Sequence, residues 1–252
     1  MLKNDVALLC ARLSKEIYEQ LDGIVVDSIP NGEVTPLTSP IAEKQNADPN
    51  DTLATIRTDT QAAVIYVPTD QSVYVVFRGS EKNLTDWSNN FQLRQQYYPY
   101  GDPAETDVRF HLGFMTAYLA VRDELIKVLK AFPQAPLTFT GHSLGGALAT
   151  IAALDIQYNL AAETGQAIEL YTYGSPRVGN DALVESFDRR VPYSYRFVYG
   201  LDVVTRVPRQ WQGYEHVSAL QQLGSRWTWR FLTRRLSDHD IDNYIAALEA
   251  NV

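Results

Sequence analysis

The sequence predicts an α/β domain in which a central, mostly parallel sheet is flanked by helices. Three observations carry that prediction. From residue 137 onward, strand-like and helix-like segments alternate, and such alternation means parallel strands joined by crossover helices. At one junction, Thr140-Gly141-His142-Ser143-Leu144-Gly145, a serine stands between glycines where a strand gives way to a helix. The composition is that of a chain with one sizeable core. Of 252 residues, 45% are hydrophobic and 21% charged, close to the globular average and too apolar for disorder. The chain is therefore read as a single domain, 1–252.

The elements follow in order. Val6, Leu9, Cys10, Leu13, Ile17 and Leu21 recur at helical spacing, with Asn4 or Asp5 able to cap the helix. A stretch rich in Pro, Asn and Asp, about 27–52, reads as an exposed connection. Ala62–Val67 and Val73–Phe77 are β-branched and aromatic runs split by Pro68-Thr69-Asp70-Gln71, hence neighbouring strands. Between Gly79 and Gly113 the pattern is irregular and aromatic. Gly113–Phe132 is a long helix with Phe114, Tyr118, Val121, Leu125, Val128 and Phe132 on its apolar face, stopped by Pro133. Then come a strand at Leu137–Thr140, a helix at Leu144–Gln157, a strand at Ile168–Tyr173, a helix at Asp181–Arg190 and a strand at Tyr195–Tyr199. A closing helix spans Asp240–Glu249, with Asp238 placed to cap it.

Charge and cysteine count exclude several functions. The formal net charge of −8 argues against general nucleic-acid binding, which needs a basic footprint. Cys10 is the single cysteine, so there is no intrachain disulfide and no cysteine-based zinc cluster. Four scattered histidines make a histidine-rich metal site a poor reading. No apolar run approaches the ~20 residues that span a bilayer. Met1-Leu2-Lys3-Asn4-Asp5-Val6 lacks the pattern of a cleavable signal peptide, since an acid follows almost at once and Lys15 comes soon after. The expectation is a cytoplasmic protein or one exported by a non-standard route.

Gly141-His142-Ser143-Leu144-Gly145 fits G-x-S-x-G. A serine on a sharp strand-to-helix turn projects its hydroxyl above the sheet, and the flanking glycines remove side chains that would collide there. The helix behind it offers N–H groups and a positive dipole where an oxyanion would form. A serine nucleophile needs a base, and chain order in such a fold runs Ser, acid, His. Only His216 and His239 follow Ser143, so the order leaves both open. His111 precedes the serine, and the His142 side chain should point away from the hydroxyl.

With its extension to Ala147, this segment resembles the class-three lipase family, which includes the filamentous-fungal triacylglycerol lipases. Val75-Val76-Phe77-Arg78-Gly79-Ser80 resembles the family's oxyanion loop, and His111-Leu112-Gly113-Phe114 the start of its next helix. Thr172-Tyr173-Gly174-Ser175-Pro176-Arg177-Val178-Gly179-Asn180 is similar to a family signature. Asp202-Val203-Val204-Thr205-Arg206-Val207-Pro208 resembles the segment that carries the catalytic acid. The resemblance spans residues 75–239 and implies an α/β-hydrolase fold. It also implies Ser143 as nucleophile, Asp202 as acid, and His239, just before the last helix, as base rather than His216. Leu144 and Ser80 would supply the oxyanion hole, Ser80 through both its N–H and its hydroxyl.

The family places a lid at about 81–100. Leu84, Trp87 and Phe91 fall at i, i+3 and i+7 there, so a short amphipathic helix with these as its acyl-facing side is expected. In Arg226-Trp227-Thr228-Trp229-Arg230-Phe231 the aromatics and arginines alternate, and Arg234 and Arg235 follow; the aromatics are read as core and the arginines as solvated. The resemblance implies a serine ester hydrolase, a lipase cleaving acylglycerol esters through an acyl-enzyme. It would act on a lipid or ester substrate, with transient contact to a lipid–water interface and no cofactor or metal. A phospholipase, galactolipase or feruloyl-type esterase on the same fold, and a non-catalytic lipase-like interaction module, are the alternatives.

Overall fold

A computed structural model describes residues 2–18, 26–39, 60–79, 94–224 and 237–250. Ser80 and the three lid candidates Leu84, Trp87 and Phe91 lie outside the described residues, as does the 225–236 tract. Seven strands form one sheet in the order β1 (Glu33–Thr38), β2 (Gln61–Val67), β3 (Ser72–Phe77), β6 (Leu137–His142), β7 (Ile168–Tyr173), β8 (Ser194–Tyr199), β9 (Ala219–Leu223). The first three pair antiparallel, and β3 through β9 are parallel. A separate two-stranded ribbon joins β4 (Gln95–Tyr97) to β5 (Arg109–His111).

Helices cover both faces, as the alternation requires. On one face α1 (Asn4–Glu16) and α5 (Ile241–Glu249) pack Ala7, Cys10, Ala11, Tyr244 and Leu248 against Tyr171, Tyr173 and Phe197. On the other lie α2 (Leu112–Leu129) and α3 (Leu144–Ile156), over Val73, Val75, Phe77, Leu137, Phe139 and Leu170. From Gly145 to Ile156 every residue of α3 is buried; a helix apolar all round must be enclosed, and α2 encloses it. The strip of α1 turned inward consists mainly of small residues, Ala7, Cys10, Ala11 and Ser14, with Leu13 beside them, while Val6 and Leu9 are only half-buried. Small residues let the helix approach the sheet closely enough for Ser14 Oγ to reach Thr140 Oγ1 at 3.1 Å.

Several expectations are corrected. Within the stretch read as an exposed connection, β1 forms the sheet edge, where Pro36 is tolerated because its missing N–H faces away from β2. Short and polar, β4, β5 and β9 carry no apolar alternation to announce them. Neither Asn4 nor Asp5 caps α1; Lys3 stands at the cap without a side-chain bond. The cap of α5 is Asp240, which accepts from Asp242 N at 3.0 Å, and not Asp238. By contrast α4, Asp181–Arg190, is capped by Asn180, which accepts from Leu183 N at 3.1 Å.

Candidate active site

The serine sits where β6 meets α3. Ser143 has φ 58° and ψ −126°, a conformation that costs a non-glycine residue about 1–3 kcal/mol and is stored where the surroundings over-determine it. Its N–H donates to Tyr173 O at 2.9 Å, which anchors the turn to the neighbouring strand. The two motif glycines are demanded by space. A Cβ on Gly141 would lie 2.3 Å from the carbonyl carbon of Gly145, and one on Gly145 would lie 2.1 Å from Phe77 O. The same register sets Phe77 opposite Gly141, so the end of β3 runs beside the elbow. Leu144 opens α3, and the N–H groups of a first helical turn have no intrahelical acceptor.

The acid stands just past the carboxyl end of β8, in the crevice where open α/β sheets build their sites. Asp202 is fully buried. Its Oδ1 accepts from Val204 N at 2.9 Å, and its Oδ2 accepts from His239 Nδ1 at 2.8 Å and from the Tyr244 hydroxyl at 2.5 Å. A buried carboxylate is tolerated only when its lone pairs are met, and three donors meet these. His239 closes a short turn, Ser237–His239, ahead of α5. The turn is tied to the acid's loop by Asp238, whose Oδ2 accepts from Leu201 N at 2.9 Å. With a carboxylate facing Nδ1, that nitrogen bears the proton and Nε2 presents its lone pair.

The His142 side chain turns away from the serine hydroxyl, as expected, and its position has a consequence the sequence did not suggest. Its Nε2–H donates to the His239 carbonyl at 2.7 Å, and Nδ1 lies 3.1 Å from the Tyr18 hydroxyl. The two imidazoles stand 4.5 Å apart, centroid to centroid. Burial pushes the His142 pKa down to about 3, so this ring stays neutral and tethers the backbone of His239 to the elbow. Ser143 Oγ and His239 Nε2 are both buried and make no hydrogen bond among the described residues. They are the nucleophile-type and base-type atoms of the cluster, and neither is spent on structure.

Gly174 completes the wall. Its φ is +60°, and a Cβ there would stand 2.7 Å from Asp202 Oδ2 and 2.9 Å from His239 Nδ1. Only glycine fits behind that pair. Tyr244, which follows Asp238-His239 in the segment that resembles the end of the family's domain, has a bond to Asp202 that the resemblance did not imply. Its signal was its place on the buried face of α5, with Ile241 and Leu248, because a buried tyrosine hydroxyl must find an acceptor. His216 is not part of the cluster. Its Nε2–H donates to Thr205 O at 2.6 Å, and burial pushes its pKa down to about 3. His111 is structural too: it precedes α2, and its Nδ1 accepts from Phe114 N.

Residues 74–211, more than half of the chain, match the family model of lipase (class 3). A lipase of Rhizomucor miehei is 32% identical over 170 residues, 66% of this chain and 45% of that protein. A secreted mono- and diacylglycerol lipase 1 of Fusarium solani is 36% identical over 160 residues, 61% of this chain and 45% of that protein. The chain thus spans about half the length of these relatives. Among solved structures, a triacylglycerol lipase described as having a serine protease triad as its catalytic centre aligns with a TM-score of 0.69 at 25% identity, over 87% of this chain and 79% of that one. The Rhizomucor miehei lipase–propeptide complex aligns with a TM-score of 0.67 at 24% identity, over 88% of this chain and 67% of that one, and so shares the α/β-hydrolase fold. By the residues matched and by the fold they build, the chain belongs to the class 3 lipase family.

Proposed function

We propose that this chain is a serine carboxylic-ester hydrolase, a lipase that cleaves acylglycerol esters through an acyl-enzyme, with Ser143, His239 and Asp202 as its triad. The observation that carries the reading is the buried Asp202–His239 hydrogen bond of 2.8 Å, tied through the His142 ring to the elbow that holds Ser143 at φ 58°. Among the described residues, Ser143 Oγ and His239 Nε2 have no hydrogen-bond partner. The names of the sequence relatives, lipase and mono- and diacylglycerol lipase, support the substrate class.

The proposed chemistry runs through these three residues. His239 Nε2 takes the Ser143 proton as Oγ bonds to the ester carbonyl carbon, and Asp202 stabilises the imidazolium that forms. The carbonyl oxygen becomes an oxyanion at the head of α3, where the Leu144 N–H stabilises it together with the helix dipole. The family resemblance of Phe77-Arg78-Gly79-Ser80 implies Ser80 as the second donor. Collapse of the intermediate expels the alcohol, protonated by His239, and leaves the acyl group on Ser143. Water then gives its proton to His239, attacks the acyl carbon and releases the acid, regenerating the serine.

The test is a fluorophosphonate label together with a panel of p-nitrophenyl esters, triglyceride emulsions and phospholipids. Labelling at Ser143 and turnover of esters and triglyceride, both lost in Ser143→Ala, are the expected outcome. An unlabelled but folded protein, or activity that survives the substitution, overturns the assignment.

A further inference from the structure

A cavity of about 200 Å³ opens on the face of β8 turned away from α1 and α5. Arg177, Arg196, Arg206, Thr205, His216 and Asp202 line it. Its charge is unbalanced. Among the described residues Asp202 is the one carboxylate in the lining, and its side-chain oxygens accept from Val204, His239 and Tyr244. His216 is neutral, its Nε2–H given to Thr205 O. Three arginines therefore face one carboxylate whose lone pairs are already engaged.

The arginines themselves are poorly satisfied. Arg177 donates Nη1 to Pro208 O at 2.9 Å, but among the described residues the buried Nε atoms of Arg177 and Arg196 have no hydrogen-bond partner. No salt bridge reaches either one among the described residues. Glu215 is the acid whose field they feel, yet its Oε1 accepts from His216 N and its Oε2 from Gln210 Nε2. Burial lowers the pKa of both guanidinium groups; the Arg196 pKa falls to about 10, with the neighbouring Arg177 charge adding to the burial effect. A fold that sets two partly buried like charges side by side, with unmet donors, is stabilised by whatever anion neutralises them. Along the sequence, residues 196–235 hold seven arginines, no lysine and two acids, in a chain whose net charge is −8; Arg226, Arg230, Arg234 and Arg235 lie outside the described residues.

We propose that Arg177 and Arg196, with Arg206 at the rim, form a binding site for a phosphate group. A phosphate monoester carries ≈ −1.5 to −2 at pH 7 and presents three acceptor oxygens, enough to answer two guanidinium forks at once. A carboxylate answers one fork with two oxygens. The group comes either as free phosphate or on a lipid headgroup, and the test separates the two. Asp202 borders the cavity, but the proposal does not rest on the ester-hydrolysis assignment, and its measurements do not depend on turnover.

The full chain in phosphate-free buffer is titrated with inorganic phosphate at constant ionic strength, and the melting temperature and heat of binding are followed. Wild type is expected to show a saturable rise in Tm that matched chloride does not reproduce. Arg196→Gln and Arg177→Gln are expected to weaken phosphate binding about tenfold or more. Arg196→Lys, which keeps the charge and loses the fork, should fall between. Should the Gln variants not fold, arginine modification by phenylglyoxal is mapped by mass spectrometry on wild type, and phosphate should protect Arg177 and Arg196. Co-sedimentation with phosphatidylcholine vesicles, with and without phosphatidic acid, identifies the source. Binding that needs phosphatidic acid and Arg196, and that inorganic phosphate displaces, assigns a headgroup. Phosphate binding without it assigns the free ion. Absence of saturable binding in wild type, or binding and protection indifferent to both arginines, overturns the proposal.

Discussion

Gly174→Ala probes the candidate site without touching any of its reacting groups. The new Cβ would stand 2.7 Å from Asp202 Oδ2 and 2.9 Å from His239 Nδ1, where ordinary contact begins near 3.4 Å. The two side chains must therefore retreat by roughly 0.5 Å or more, the tolerance within which a catalytic constellation works. Neither can retreat freely, since Asp202 is also bonded to Val204 N and Tyr244, and His239 is tethered through its carbonyl to His142. A displacement approaching 1 Å costs about 10²-fold in rate, so kcat/KM on a short p-nitrophenyl ester should fall by about 10–100-fold. Alanine at φ +60° adds about 1–2 kcal/mol of backbone strain, which lowers Tm by about 2–8 °C in a chain of this size. Gly165→Ala is the control: Gly165 has φ +74° and nothing within 4 Å of its would-be Cβ. It should lose similar stability and keep full turnover. Wild-type kcat/KM in a folded Gly174→Ala, or an equal loss in Gly165→Ala, would refute the reasoning.

Further outcomes are expected from the same geometry. If the proposed triad holds, His239→Ala should lose activity by about 10⁵–10⁶-fold, as triad members act together, while His216→Ala keeps most of its turnover; the reverse pattern in steady-state kinetics moves the proposed base to His216. Ser80→Ala should lower kcat about 10²–10³-fold, the worth of one oxyanion donor, with KM little altered; an unchanged kcat reduces Ser80 to a turn residue. Burial lowers the folded-state pKa of His142 and His216 to about 3 and of His111 to about 4. The unfolded chain binds these protons near pH 6.5, so their stability contribution is present above that pH and is lost as pH falls toward 3–4. Each should remove ~2 kcal/mol by pH 5, and urea titrations of His216→Gln should show a shallower acid slope than wild type; equal slopes would contradict the buried-neutral assignment.

Local interactions were legible in the residues themselves. The elbow at Ser143 and the helix α4 depend on residues within a few positions of one another. The elbow's backbone is forced by Gly141 and Gly145, and α4 is bounded by the Asn180 cap and by its apolar face, Leu183 and Phe187. Strands β2 and β3 announced themselves by β-branched and aromatic runs that are largely buried on both faces. The edge strands β1 and β9 did not, because a strand with one neighbour can be polar and can carry Pro36. Nor did the inward face of α1, where closeness to the sheet selects Ala7, Cys10, Ala11 and Ser14 over larger residues. Chain order left His216 and His239 equally eligible, and a family resemblance was needed to prefer one. Tertiary structure separates them physically: His216 spends its ring N–H on Thr205 O, and His239 meets Asp202 at 2.8 Å across 37 residues of sequence. The tether from His142 to His239 and the tyrosine on Asp202 likewise join distant segments, 97 and 42 residues apart. Such contacts have no local signature, since what brings the partners together is the register of β6, β7 and β8 and the return of α5 across the sheet.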